Sequence, residues 1–161
     1  MKLALNKEYA RRHLFVTVVM AALGLWFGYD GFIRYPKTPA ADLYRSIEGS
    51  DAPAGFDLES FKKQKTQTQY GFTALSLLAA LVVGLRLYGA SKFDFEFDET
   101  GFTFNGRRYA DADIAEIDRK RWKSKSILAL RLKDGEKVVL DAWHHTGVKD
   151  FASRLSPPLS L

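Results

Sequence analysis

Two long apolar blocks constrain this chain more than any other feature. The first, Leu14 to Ile33, reads LFVTVVMAALGLWFGYDGFI and carries one charge, Asp30. The second, Tyr70 to Ala90, reads YGFTALSLLAALVVGLRLYGA and carries none before Arg86. At about 1.5 Å of rise per residue, either block as a helix is long enough to cross a hydrocarbon core of about 30 Å. Asp30 lies near the end of its block beside Tyr29 and Arg34, where headgroups or an ion pair accommodate it, and Arg86 has a stem that reaches an interface. Trp26, Tyr29 and Tyr35 gather at one end, as in an interfacial aromatic belt. Small residues (Ala21, Ala22 and Gly24; Ala74, Ser76, Ala79, Ala80 and Gly84) permit close packing of the two spans as a hairpin or against a partner. A cleaved leader is the rival reading of the first block. That block exceeds the roughly 7 to 15 residues of a leader core and has no small-x-small site directly after it.

Lysine and arginine set the expected orientation. Lys2, Lys7, Arg11 and Arg12 precede the first span against the single acid Glu8, and many more cations follow the second from Lys92 on. Both termini are therefore expected in the cytoplasm of a protein integral to the inner (cytoplasmic) membrane. The expected organisation is a cytoplasmic segment over 1–13, spans over 14–33 and 70–90, an extracytoplasmic loop over 34–69, and a folded domain over 91–161. Two short helices are predicted in the loop, at 39–48 and 57–69, parted by Gly49-Ser50-Asp51-Ala52-Pro53-Ala54-Gly55.

The periodicity changes at Lys92. Phe93, Phe95 and Phe97 alternate with Asp94, Glu96 and Asp98, the pattern of a half-buried strand with an ordinary charged outer face. A turn at Thr100-Gly101, a second strand through Phe102 and Phe104, the hairpin signal Asn105-Gly106 and a third strand from Arg107 follow. A basic stretch then runs from Arg119 to Lys125, before a further hairpin over Ile127–Leu140 that turns at Lys133-Asp134-Gly135-Glu136. Last comes a helix with Thr146 as N-cap, Val148, Phe151 and Leu155 on one face, and Pro157-Pro158 at its end. Five to seven short strands and one helix describe a small curved sheet or open barrel whose end the helix covers.

This order of elements resembles the bacterial pleckstrin-homology-like domains that occur attached to membrane spans. The resemblance covers residues 92–155. It rests on the phenylalanine-rich first hairpin with Glu99-Thr100-Gly101-Phe102-Thr103-Phe104, a strand from Tyr109 to Ile117, the Leu132-Lys133-Asp134-Gly135 hairpin and the helix from Gly147 to Leu155. It implies an α+β membrane protein in which a two-helix transmembrane hairpin carries a small β-barrel or curved sheet with one C-terminal helix. It also implies a binding or oligomerising module without catalytic residues.

The remaining chemistry narrows the function classes. The chain has 161 residues, a net charge of +5 and no cysteine, which excludes disulfides, thiolate catalysis and iron–sulfur clusters. His13, His144 and His145 are too few for a closed zinc site, and adjacent residues of an extended segment point apart. No cofactor is expected. No G-x-S-x-G, Walker or H-E-x-x-H motif is present, so the chain reads as a non-enzyme. The sharpest candidate site is Arg119, Lys120, Arg121, Trp122, Lys123 and Lys125: cations for anionic lipid headgroups or a protein partner, with Trp122 inserting at the interface. The competing reading is a solvated loop whose Trp packs on the domain edge. Nucleic acid is a poor partner, because residues from 92 on carry about as many acids as bases. The function expected is a membrane-anchored scaffold or accessory subunit; the alternative is a transporter or channel component made by oligomerised spans.

Overall fold

The structure, a computed structural model, describes residues 1–155; the proline pair expected to end the last helix lies outside these. In chain order the elements are β1 (Ala4–Leu5), α1 (Lys7–Tyr29), a π-helical turn (Asp30–Arg34), α2 (Tyr35–Lys37), α3 (Ala40–Glu48), α4 (Leu58–Ser91), β2 (Phe95–Phe97), β3 (Gly101–Phe104), β4 (Arg107–Ala110), β5 (Ile114–Asp118), α5 (Trp122–Lys125), β6 (Ile127–Leu132), β7 (Lys137–Asp141), β8 (His145–Thr146) and α6 (Val148–Arg154). The chain is thus α+β, with two long apolar helices and small antiparallel sheets, and it divides into two compact units: residues 1–12 with residues from Arg86 on, and His13–Leu85.

In the helical unit, Gly24 faces Leu77, Gly28 faces Thr73, Gly31 faces Gln69 and Tyr70, and Gly84 faces Thr17. Partner numbers fall as the others rise, so the two helices run antiparallel, with Phe27 against Phe72 and Phe32 against Tyr70 at ring distances of 5.2 and 4.6 Å. Ser76 and Ala80 are buried along the same seam, while Leu14, Phe15, Leu25, Leu75, Leu78 and Leu81 are exposed. The second helical piece expected in the loop is instead the start of α4. The Asp57 carboxylate accepts the Ser60 N–H at 3.0 Å, which caps a helix that nothing breaks before Ser91. Its 34 residues span about 51 Å, so its polar first turns extend past the apolar run. The other expected piece, 39–48, is α3, ended by Gly49 in the left-handed region at φ 75°. Leu43 is buried, and Tyr44, Phe56 and Phe61 form one cluster. Tyr35, expected in an aromatic belt, is buried and accepts a hydrogen bond from Gln69 Nε2 at 3.3 Å, whereas Trp26 and Tyr29 are exposed.

Asp30 is buried in the π turn. Its carboxylate accepts Trp26 Nε1–H at 3.2 Å and lies 3.4 Å from the Arg34 guanidinium, one helical turn to either side. The isolated acid of the first apolar block is therefore both hydrogen-bonded and ion-paired.

Among the described residues the other unit holds three antiparallel sheets, β2-β3-β4, β5-β6-β7 and β1-β8, and not a closed barrel. The Asn105-Gly106 hairpin forms as expected, with both residues at positive φ (50° and 78°). The strand expected from Tyr109 to Ile117 is broken at Asp111–Asp113, a 3₁₀ turn in which the Asp113 carboxylate accepts the Ala110 N–H at 2.8 Å. Gly147, not Thr146, caps α6. Thr146 belongs to β8, and its hydroxyl donates to the Ala4 carbonyl at 3.2 Å. Gly147 sits at φ 87°, which favours glycine, with the ends of the Leu3 and Met1 side chains 3.0 Å from where a Cβ would stand.

The core gathers Phe95, Phe102, Tyr109, Leu128, Leu130, Leu132, Val138, Leu140, Val148 and Phe151. Phe104 is only partly buried against it. Leu3, from the far end of the chain, is also a core residue, at 3% exposure. Its N–H donates to the Phe95 carbonyl at 2.9 Å, the Phe97 N–H donates to the Met1 carbonyl at 2.7 Å, and Ala4 and Leu5 pair with Thr146 and His145. Lys2 lies on the outer face, 2.8 Å from Asp94 and 3.1 Å from Glu96, which hold its ammonium above the ordinary lysine range.

Two outcomes follow from this packing. Leu3→Ala should cost about 2–5 kcal/mol, whereas Lys2→Ala, which removes only solvent-exposed ion pairs, should leave the melting temperature nearly unchanged; thermal unfolding in mild detergent separates them. Gly31→Val should loosen the helix pair by about 1–3 kcal/mol through overpacking. Gly71→Ala should not, because nothing lies within 4 Å of its added methyl.

Candidate functional site

The basic stretch is a tight connection between β5 and β6. The Arg119 carbonyl accepts the Trp122 N–H at 2.9 Å, the Arg121 carbonyl accepts the Lys125 N–H at 2.9 Å, and the Trp122 carbonyl accepts the Ser126 N–H at 2.8 Å. Together they form the single turn α5, which Ser126 ends at φ 53°. One helical turn sends its largest apolar side chain inward and its neighbours outward. Trp122 is accordingly 6% exposed and joins the core, which corrects the expectation that it inserts into a lipid interface. Arg119 is half-buried, and Lys120, Arg121, Lys123 and Lys125 are exposed.

No ion pair reaches any of these five cations among the described residues, whereas Lys2, Arg12, Arg34, Arg45, Lys65, Arg107, Arg108, Arg131 and Arg154 are each paired. The acid closest in sequence, Asp118, is engaged elsewhere: its carboxylate accepts the Lys120 backbone N–H at 2.9 Å.

The turn leads into residues that meet the start of α1 and the end of α4 within the same unit. Ile127, just after it, pairs with Asp141, and the Ser126 carbonyl accepts the Ala142 N–H at 3.1 Å. The next residues meet the helix ends. The Trp143 ring lies 6.4 Å from that of Tyr9 and 5.5 Å from the Arg12 guanidinium, the Tyr9 and His144 rings are 4.4 Å apart, and His145 Nε2 is 2.9 Å from the Ala90 carbonyl. His145 is buried against Phe93, and no group of three or more metal-ligating side chains converges among the described residues. The two histidines serve as a junction between strand and helix ends. Sequence reasoning had no signal for this arrangement, because Tyr9 and Trp143 meet across the whole length of the chain.

Elsewhere on the unit, charged groups are held in surface pairs. Arg108 and Thr100 hold the Asp98 carboxyl well below the usual carboxylate range. The Tyr109 hydroxyl donates to Glu136, which pushes its pKa up to about 12. A recess between β5 and the end of α6 is lined by Asp111, Glu116, Ile117 and Arg154, with Arg154 closed onto Asp111 at 2.7 Å.

No protein-family model, curated protein or solved structure matches the chain. The reading of its function therefore rests on its own residues.

Trp122 and its flanking cations should separate cleanly on mutation. Trp122→Ala should cost about 3–5 kcal/mol of stability, while each of the five cations replaced by Gln should change it by no more than about 0.5 kcal/mol. Thermal unfolding of the detergent-solubilised protein reads both.

Proposed function

We propose that this chain is a membrane-anchored, non-catalytic binding module: a two-span hairpin that carries a pleckstrin-homology-like domain on the cytoplasmic face of the inner membrane, as a scaffold or accessory subunit of a larger assembly. The observation that carries the reading is that the ends of both apolar helices are built into one folded unit. Residues 1–12 and the residues from Arg86 on form that unit together, so if the helices cross a bilayer, both termini stand on one side of it. Only 17% and 11% of the apolar windows of the two helices are buried, far less than for core helices of a soluble fold. Lipid is the solvent that such faces need. The excess of cations at the helix ends favours the cytoplasmic side. The order of seven short strands after α4, closed by the helix α6, supports the pleckstrin-homology-like assignment.

A transport pathway requires polar groups that face one another across the spans. Here the Thr17 and Thr73 hydroxyls donate to the His13 and Gln69 carbonyls of their own helices at 2.8 Å, and Asp30 is already paired. The anchor reading is therefore preferred to the channel.

The chain has no cysteine, so single-cysteine labelling tests the topology directly. Ser50→Cys should react with an impermeant maleimide from outside the cell, and Lys149→Cys only after permeabilisation. The reverse pattern rules out the orientation, and extraction of the chain by alkaline carbonate rules out the spans.

A further inference from the structure

We infer that the slot between β2 and β8 is an acceptor site for an extended peptide segment, that residues 1–5 are its built-in occupant, and that a partner segment in which a cation directly precedes a leucine-sized residue replaces them. This rests on the binding-module reading above and names the kind of segment the module takes. Every residue involved lies in the one folded unit that joins residues 1–12 to those from Arg86 on.

The slot recognises its occupant in three separable ways. Backbone groups on both sides hold an extended chain: the Leu3 N–H donates to the Phe95 carbonyl at 2.9 Å, the Phe97 N–H donates to the Met1 carbonyl at 2.7 Å, and Ala4 and Leu5 pair with Thr146 and His145. Bonds of this kind select an extended backbone and no particular sequence. Successive side chains then point to opposite faces. Leu3 points inward at 3% exposure, beside Gly147, whose missing side chain leaves space for the ends of Leu3 and Met1. Lys2 points outward, 2.8 Å from Asp94 and 3.1 Å from Glu96. Ala4 is exposed and specifies nothing. A cation outside and a leucine inside, at consecutive positions, is the pattern the slot selects.

The occupant is held lightly. β1 has only two residues, and Leu3 is the one buried side chain among residues 1–5. The ion pairs of Lys2 are exposed and contribute little. A terminal segment held in this way opens at the low end of local stability. Asn6 supplies the hinge. Its N–H donates to the His144 carbonyl at 2.8 Å, and its carboxamide oxygen accepts the Glu8 N–H at 2.9 Å and so caps α1. Residues 1–5 therefore lift away while the start of the helix stays in place. They leave behind an open β2 edge, which is a template for another strand, beside a hole of leucine size. A tethered strand competes at a millimolar effective concentration, so its replacement has to be concentrated too. A partner anchored in the same membrane meets that condition.

The test is disulfide trapping on the full chain, which has no cysteine of its own. Lys2 and Glu96 oppose each other as a non-hydrogen-bonded antiparallel pair. The Cα atoms of such a pair stand about 4.5 Å apart, within the range that a disulfide spans. The probe is a synthetic peptide with the sequence of residues 1–6 and Cys for its lysine, offered to the detergent-solubilised Glu96→Cys chain in a thiol buffer. Capture should be at least tenfold faster than by the control chain Glu99→Cys, whose thiol is at an exposed position three residues on. Leu3→Ala in the chain should raise capture severalfold, because its own strand then competes less well. Lys2→Glu, which repels that strand from Asp94 without touching the core, should do the same. Asp in place of the peptide's leucine should abolish the preference. A cysteine-free peptide of native sequence should block capture, and one with Glu for its lysine should block it at least tenfold less well. Equal capture at positions 96 and 99, or capture and blocking that ignore the leucine and the lysine, overturns the acceptor site. Capture that neither Leu3→Ala nor Lys2→Glu raises overturns the replacement of residues 1–5. Each of these results leaves the membrane-anchored reading intact, since that is decided by the labelling at Ser50→Cys and Lys149→Cys.

Discussion

A short strand from the front of the chain governs how the rest is arranged. Residues 1–6 bond to β2 through Met1 and Leu3, to β8 through Ala4 and Leu5, and to the His144 carbonyl through the Asn6 N–H. The strand covers an edge of the β2-β3-β4 sheet that would otherwise present open backbone groups, and it adds Leu3 to the core. Bringing strands together over a separation of about ninety residues costs loop entropy. The antiparallel helix pair reduces that cost, because it returns the chain before the domain begins.

Within the helix pair, close approach and a single buried charge are reconciled by backbone geometry. Gly24, Gly28 and Gly31 leave room for Leu77, Thr73 and Tyr70, and contact at this range gains dispersion energy. Asp30 sits among these contacts, buried where an unpaired carboxylate would be costly. The π turn at Asp30–Arg34 inserts extra backbone at this point. Trp26 and Arg34 both reach its carboxylate. Trp26 does so while its ring remains largely exposed, so one residue serves both the acid and the outer surface.

What was legible in the sequence was what depends on local pattern. The apolar blocks, the Phe93–Phe97 alternation, the Asn105-Gly106 turn, the 39–48 helix and the apolar face of Val148, Phe151 and Leu155 all appear where periodicity and turn chemistry place them. What was not legible depends on contacts between distant residues. The helix expected over 57–69 is present, but its continuity with the second apolar block was not legible, because polar first turns and an apolar run read as two elements although nothing between them breaks the helix. Tyr35 was placed in a belt because aromatics near a span end usually belong there; its burial depends on Gln69, which only the returning helix supplies. The break at Asp111–Asp113 turned on one aspartate bonding back to Ala110, a choice between strand and turn that alternation cannot express. The N-terminal strand left no local sign at all, since Met1–Leu5 reads as an ordinary lead-in to a helix.

The basic turn shows the same division inside seven residues. Composition alone marked Arg119–Lys125 and could not divide the tryptophan from the cations, although their roles are opposite. Trp122 stabilises the domain by burial, and a Trp in the core fixes the direction of every neighbour on a single helical turn. With the ring inside, the charges stay hydrated, unpaired and directed away from the core. The tryptophan thus acts on the surface without touching it: the packing of one aromatic side chain decides that five positive charges remain available to whatever lies at the helix ends.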